Sequence, residues 1–497
     1  MIEEFKLKTI KDTKGNIYTI DSILGQGGQG MVCKTKDSHI AIKFVMKNDE
    51  PYTDEAFYEK YKDRINDVII MNVGNDVNIC QPIMMLEKPY CGYVMHLLSD
   101  LMPINNLIFN INSDDKFDDF FRNTDGLKKR LEVLIELSRT LARLHSKGII
   151  YCDISPNNVF YSDISNFSKV WIIDCDNLKY TTDVRNGIYT PGYGAPEVVS
   201  KASSNTIFSD CYSFAVLAFK VLTQRNPFEI SYTEESSGDD WDATTTDKKD
   251  LNNVNIPWLF ENGITEKLKS YFDHFINKDL LDLFNRTFNE QGRLNPSTRP
   301  SMREWYDKLK NAYLNINKCQ CGTYIFSGEN ECPFCKTKRS FQFYGSLLNV
   351  YPDVEGIKNK IKEDLKKEDF GDLDYINDII DNKLNIKTER INSDFIIYDN
   401  DIIYNFNIND ISIYENPYPL FKFEYRNGYL YVFNKTTLNI PYIFKGESNK
   451  LLSNDNKPFV FEPKDILSLI YSDPDTKIRR CILVKRVWKN WMKYLLL

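Results

Sequence analysis

The run Tyr151-Cys152-Asp153-Ile154-Ser155-Pro156-Asn157-Asn158-Val159-Phe160 decides the fold of this chain. An aspartate is followed five residues later by an asparagine, and Ser155-Pro156-Asn157 between them breaks regular structure. Two short strands come next, Val159-Phe160-Tyr161 and Val170-Trp171-Ile172-Ile173, the second running straight into Asp174. Upstream the pattern has period 3.6, and Leu127, Leu131, Leu134, Leu141 and Leu144 share one face of a long helix. Farther upstream the first hundred residues alternate β-branched and aromatic runs with turn signals, as in Ile17-Tyr18-Thr19-Ile20, Met31-Val32-Cys33 and Ile40-Ala41-Ile42. That pattern predicts a small antiparallel sheet, interrupted by a helix from about Thr53 to Ile70 with Asp54 and Glu55 at its N-terminus. After Asp174 mostly helices follow, to about Leu314. A sheet lobe ahead of a helical lobe is therefore legible from periodicity alone.

Within the sheet lobe, Gly25-Gln26-Gly27-Gly28-Gln29-Gly30-Met31-Val32 fits G-x-G-x-x-G-x-V, and Ala41-Ile42-Lys43 follows on the next strand. Glycines without Cβ let backbone N–H groups approach a triphosphate, and a lysine alongside adds a point charge. A dinucleotide fingerprint would need a helix starting inside the glycines. Here a strand follows instead.

These segments, taken in order with Thr190-Pro191-Gly192-Tyr193-Gly194-Ala195-Pro196-Glu197, Asp210 and Arg299-Pro300-Ser301, resemble the eukaryotic-like Ser/Thr protein kinases over about Tyr18 to Leu314. The resemblance implies a bilobal α+β fold and transfer of the γ-phosphoryl group of ATP to protein hydroxyls. It implies that Asp153 accepts or orients the proton of the acceptor hydroxyl, and that Asn158 and Asp174 hold Mg²⁺ (or Mn²⁺). Oxygen ligands suit such hard cations. Lys43 would grip the α- and β-phosphates, itself held by a carboxylate on the first helix, Glu59 with Glu55 as second choice. Gly25, Gln26, Gly27, Gly28, Gln29, Gly30, Val32 and Ala41 would enclose the nucleotide. Met95 would be the gatekeeper, and His96-Leu97-Leu98 the adenine hinge. Glu197 and Arg299 would form a buried brace. The Thr190-Pro191-Gly192-Tyr193 form is similar to that of Ser/Thr kinases, whose threonine contacts the catalytic aspartate.

The chain departs from the family at four places. Tyr151 and Cys152 stand where most members have His and Arg, so no arginine there can pair with a phosphorylated activation segment. Ser155 replaces a lysine near the γ-phosphate, and Asp174-Cys175-Asp176 replaces Asp-Phe-Gly. Activity that needs no activation-segment phosphorylation is one implication. A nucleotide-binding pseudokinase scaffold is the alternative reading. The departures, with heavy use of Asn, Ile, Lys and Tyr, suit a divergent bacterial or phage branch.

With 497 residues, 42 % hydrophobic and 27 % charged, the chain is of folded, multidomain composition. A formal charge of -7 offers no basic face for nucleic acid. No apolar run is long enough to span a bilayer, and the start Met1-Ile2-Glu3-Glu4 lacks a secretion signal. Eleven cysteines, seven scattered and four clustered, suit a reducing compartment, and the expected location is cytoplasmic. The cluster, Cys319-Gln320-Cys321-Gly322 with Cys332-Pro333-Phe334-Cys335, reads as a four-thiolate structural Zn²⁺ ribbon, against a redox pair or free buried thiols.

The expected organisation is a kinase domain over 15–315, the ribbon over 316–340, a helical linker over 341–386 and a β-rich, sandwich-like domain over 387–497. A polar, acidic insertion is expected between Glu229 and Asn253, and a basic aromatic helix at Lys485 to Tyr494. Ile411-Ser412 with Tyr429 to Thr437 resembles a forkhead-associated domain, but a Gly-Arg pair and Ser-x-x-His are missing. The C-terminal domain is therefore read as a degenerate protein-interaction sandwich, with a protein substrate and a docking partner as the expected associates.

Overall fold

The computed structural model describes residues 8–486 apart from 28–29, 75–76, 111–115, 163–168, 185–186, 229–256, 262, 320, 327–330, 339–342, 353–385, 398–401, 405–418, 428, 445–446, 456, 463–466 and 473–478. It divides into two compact units, Met1–Tyr313 and Leu314–Leu497.

The first unit opens with β1 (Thr9–Lys11), β2 (Ile17–Gly27), β3 (Gly30–Thr35), β4 (Ile40–Lys47) and β5 (Glu50–Pro51). Helix α1 (Glu55–Ile69) intervenes before β6 (Met84–Met85) and β7 (Gly92–His96). The strands form one antiparallel sheet in the order β1-β2-β3-β4-β7-β6, with β5 on the side of β4. Alternation drives it, since one face of β3 buries Met31 and Cys33 while β4 contributes Ile42 and Phe44 to the same core. Helix α1 starts at Asp54, whose carboxylate accepts the Phe57 N–H at 2.7 Å. It buries Tyr58, Tyr61, Ile65 and Val68, one stripe at helical spacing.

The helical lobe follows. The helix Gly126–Ser146 buries all five predicted leucines. It packs against Ile207–Thr223, which is apolar on nearly every side and lies in the lobe's centre among Trp258, Phe284 and Trp305. The expected acidic insertion, 229–253, lies outside the described residues.

In the second unit a two-stranded ribbon, Ile316–Lys318 with Tyr324–Phe326, carries the cysteine cluster. Two antiparallel sheets follow, one of six strands and one of four. Their facing residues share one apolar core, with Phe421, Phe423, Val432 and Phe461 from the smaller sheet and Leu467, Leu469, Ile482 and Val484 from the larger. The β-rich sandwich begins earlier than the sequence reading placed it. Phe343–Pro352 is a strand of the larger sheet, paired with Ile386–Ile397 and Arg479–Arg486, not the start of a helical linker. Its composition, Phe-Tyr-Gly-Ser-Leu-Leu-Asn-Val-Tyr-Pro, is β-prone, and the charged run that suggested helix begins only afterwards, at residues outside the described set. The basic aromatic terminus also lies mostly outside it.

Candidate active site

A buried carboxylate holds the loop carrying Asp153. Asp210, in the first turn of Ile207–Thr223, accepts the backbone N–H groups of Tyr151 at 2.8 Å and Cys152 at 3.0 Å. His145 lies 3.1 Å from the same carboxylate. Asp210 is 1 % exposed, so these bonds form where water offers no alternative. They set the turn that puts Cys152 at φ +78°, in the left-handed region. Tyr151 is fully buried and donates its hydroxyl to the Ile173 carbonyl.

This turn delivers Asp153 to its partners. One carboxylate oxygen accepts the Thr190 hydroxyl at 2.6 Å, and the other accepts the Asn158 amide at 3.1 Å. Asn158 also donates to the Asp153 carbonyl at 2.9 Å, closing the five-residue loop on itself. The Ile173 N–H in turn donates to the Asn158 carbonyl at 2.9 Å, so the asparagine and the strand end leading to Asp174 are hydrogen-bonded neighbours. Asp174 itself adopts φ 58° and is 31 % exposed at its side chain, turned toward Lys43. Asn158 and Asp174 present hard oxygen donors, a fit for Mg²⁺.

Lys43 lies on β4 opposite Tyr93 of β7, with its ammonium 5.7 Å from that ring's centre. It contacts the Asp174 carboxylate directly and both oxygens of Asp176 at 3.4 Å. A Cβ on Gly30 would come within 3.2 Å of the Lys43 side chain, so that glycine leaves the lysine its room. Val32, Ala41, Met95, Leu97 and Ile173 belong to one apolar cluster, the wall on which a purine ring can lie. Gly25, Gln26 and Gly27 end β2, while Gly28 and Gln29 lie outside the described residues.

Glu59 is not brought to Lys43. It pairs with Lys88 at 2.6 Å, as Glu55 does at 2.9 Å, and both glutamates are more than half exposed. The reason is helical register. The stripe Tyr58, Tyr61, Ile65, Val68 faces inward, and residue 59 lies about 100° around the helix from residue 58. Reading that apolar stripe first would have excluded both glutamates. Sequence reasoning also missed Asp176, which stands where a flexible glycine was expected and is buried at 6 % exposure.

The remaining departures are internal. Burial pushes the Cys175 thiol well up, and its sulfur lies 3.5 Å from the Ile172 carbonyl, as an inert core residue. Ser155 is buried and brings no cation. Among its described residues, the segment leading to Glu197 is anchored by Asn205 and Lys179. Asn205 bonds the Cys152 carbonyl at 3.3 Å and both backbone groups of Ile188 at 2.7 Å, and buried Lys179 binds Ser204 and the Asp183 carbonyl at 3.2 Å. Glu197 and Arg299 form a bidentate pair, both bonds 2.8 Å, with the guanidinium wholly buried.

In the ribbon, Cys319, Cys321, Cys332 and Cys335 bring four sulfurs within 4.8 Å of one another. Cys319 and Cys335 are 3.6 Å apart, and Cys321 and Cys332 3.8 Å. Four sulfurs at about 2.3 Å from one zinc lie about 3.8 Å apart at tetrahedral angles. The residues fit that ion. Gly322 and Lys336 take positive φ just after each cysteine pair, and the Thr337 hydroxyl beside Cys335 holds that thiol down at about 6.

The family model of the protein kinase domain matches residues 18–309. Wall-associated receptor kinase-like 1 of Arabidopsis thaliana is 28 % identical over 48 % of this chain and 31 % of its own length. Serine/threonine-protein kinase pkn2 of Myxococcus xanthus is 34 % identical over 20 % of this chain and 13 % of its own. Ribosomal protein S6 kinase alpha-6 of Homo sapiens is 24 % identical over 48 % and 32 %. The chain thus spans a third or less of the length of these relatives. No helix among the described residues is long and apolar enough to cross a membrane. The matched family model covers more than half of the chain: the chain belongs to the protein kinase family.

Proposed function

We propose that the chain is an active Ser/Thr kinase that transfers the γ-phosphoryl group of Mg-ATP to a protein hydroxyl. The observation that carries this reading is the tethering of Asp153 by Thr190 and Asn158 across from Lys43. In the proposed step the acceptor oxygen bonds to the γ-phosphorus, the bond to the β–γ bridging oxygen breaks, and ADP leaves. The acceptor's proton passes to Asp153. Lys43 steadies the phosphates, and Mg²⁺ held by Asn158 and Asp174 would neutralise their charge. The Thr190 bond supports Ser/Thr acceptors, and the anchors Lys179 and Asn205 support an activation segment ordered without phosphate. The ribbon would hold a structural Zn²⁺, which cannot activate water because four thiolates close its coordination. The β-rich domain that follows would recruit a protein partner.

A second reading, a nucleotide-binding scaffold, draws support from the direct contact of Lys43 with Asp174 and from the missing lysine at Ser155. Transfer of labelled γ-phosphate to the chain itself and to a basic protein separates the two. Label on Ser or Thr with wild type, and none with Asp153→Asn or Asp174→Ala, is the expected result. A melting temperature raised by Mg-ATP with no label on any acceptor would give the scaffold the better claim.

A further inference from the structure

Helix α1 offers Lys43 no acid. Its inward stripe is Tyr58, Tyr61, Ile65 and Val68, and its two glutamates are spent on Lys88 at the surface. Yet a lysine ammonium whose side chain is 13 % exposed needs a resident anion. Among the described residues two carboxylates reach it, Asp174 and Asp176. Asp174 is the one that the kinase reading assigns to the metal, and its side chain is 31 % exposed. Asp176 differs in every respect. Its side chain is 8 % exposed, it lies in the turn Cys175–Asn177, and that turn packs on α1.

The surroundings of Asp176 show what it does. Both oxygens lie 3.4 Å from the Lys43 ammonium. The Tyr61 hydroxyl donates to one of them at 3.5 Å, and the Arg64 guanidinium lies 3.7 Å from the same oxygen. Tyr61 and Arg64 are three residues apart on α1, one helical turn, so one face of the helix delivers a hydroxyl and a cation to one carboxylate. Two cations and two carboxylates then balance in a partly buried site.

We infer that Asp176 is the positioning residue for Lys43: the lysine's counter-ion has moved from the helix to the turn after the metal-binding aspartate, and α1 grips it with Tyr61 and Arg64. The helix remains coupled to the lysine, but with the polarity of the link reversed, since α1 supplies the cation and the turn supplies the acid. It follows that displacing α1 would loosen Asp176 first and Lys43 through it. The inference rests on the kinase reading only for its nucleotide arm, because the ion pair itself can be tested without ATP.

The test uses the full chain with Asp176→Asn, which keeps shape and removes charge, alongside Glu59→Gln as the rival carboxylate and Tyr61→Phe as a milder change. In thermal unfolding, Lys43→Met and Asp176→Asn should be non-additive, the double variant melting no lower than the worse single. Lys43→Met and Glu59→Gln should add. With Mg-ATP, Asp176→Asn should raise the Kd by about tenfold or more and Tyr61→Phe by a smaller factor, while Glu59→Gln stays within about twofold. If wild type binds ATP without transferring phosphate, the kinase reading fails while the Kd comparison still judges Asp176. If wild type binds no ATP, the unfolding cycle decides alone. Additive melting for Lys43 and Asp176, or coupling of Lys43 to Glu59, would overturn the inference. A coupled pair with unchanged ATP affinity would also overturn it, leaving a structural ion pair with no positioning role.

Discussion

The Thr190 hydroxyl donates to Asp153 at 2.6 Å, although 37 residues separate the two in sequence. Through this bond the segment that should meet the protein substrate is tied to the group proposed to take its proton. Orientation of that kind acts on the chemical step more than on nucleotide binding. Thr190→Ala should therefore lower kcat by about tenfold to a hundredfold with the KM for ATP nearly unchanged. Thr190→Ser should restore most of the loss. Steady-state kinetics on a protein substrate would check it, and an equal loss with Ser would show that the methyl group matters instead.

Asp210 holds two backbone N–H groups that no water reaches. Asp210→Ala would leave both unpaired, at about 1–3 kcal/mol each. The expected result is a stability loss of about 2–5 kcal/mol in denaturant titration, together with loss of transfer, because Asp153 follows the same turn. Asp210→Asn, which keeps one acceptor oxygen, should lose less.

The Glu197–Arg299 pair predicts a purely structural defect. With the guanidinium fully buried, Glu197→Ala leaves an uncompensated charge inside the helical lobe, a loss of about 3–5 kcal/mol. Arg299→Lys cannot make the bidentate contact and should also destabilise. Thermal melting would measure both, and a change in ATP affinity without a change in melting would contradict the assignment.

A methyl group on Gly30 is expected to crowd Lys43. That Cβ would meet the Lys43 Cε at 3.2 Å and the Phe44 carbonyl oxygen at 3.3 Å. The lysine side chain gives more easily than the strand, so Gly30→Ala should weaken ATP binding by a few-fold with little change in melting temperature. Calorimetric titration with Mg-ATP reads this directly.

Metal analysis should find one zinc per chain, held by the four sulfurs that lie within 4.8 Å of one another. Cys332→Ser/Cys335→Ser should lose it, and a strong chelator should lower the melting of the wild type but not of that variant. Full zinc content in the double variant would refute the site.

Much of this protein was determined by local sequence. The order of sheet and helices follows from periodicity, and a spacing of five residues suffices for Asn158 to reach back to Asp153 across a tight loop. The two close cysteine pairs are equally local, and their four sulfurs lie within 4.8 Å of one another. Tertiary structure decided the rest. Which carboxylate meets Lys43 depends on how α1 is rotated against the sheet, and a shift of one residue in a helix moves a side chain by about 100°. Burial of Tyr58, Tyr61, Ile65 and Val68 settled that rotation, turned Glu59 outward to Lys88 and left the lysine to Asp176. The strand Phe343–Pro352 is a similar case. Its neighbours in the sheet, Ile386–Ile397 and Arg479–Arg486, lie far along the chain, and pairing over that distance leaves no mark in a local pattern.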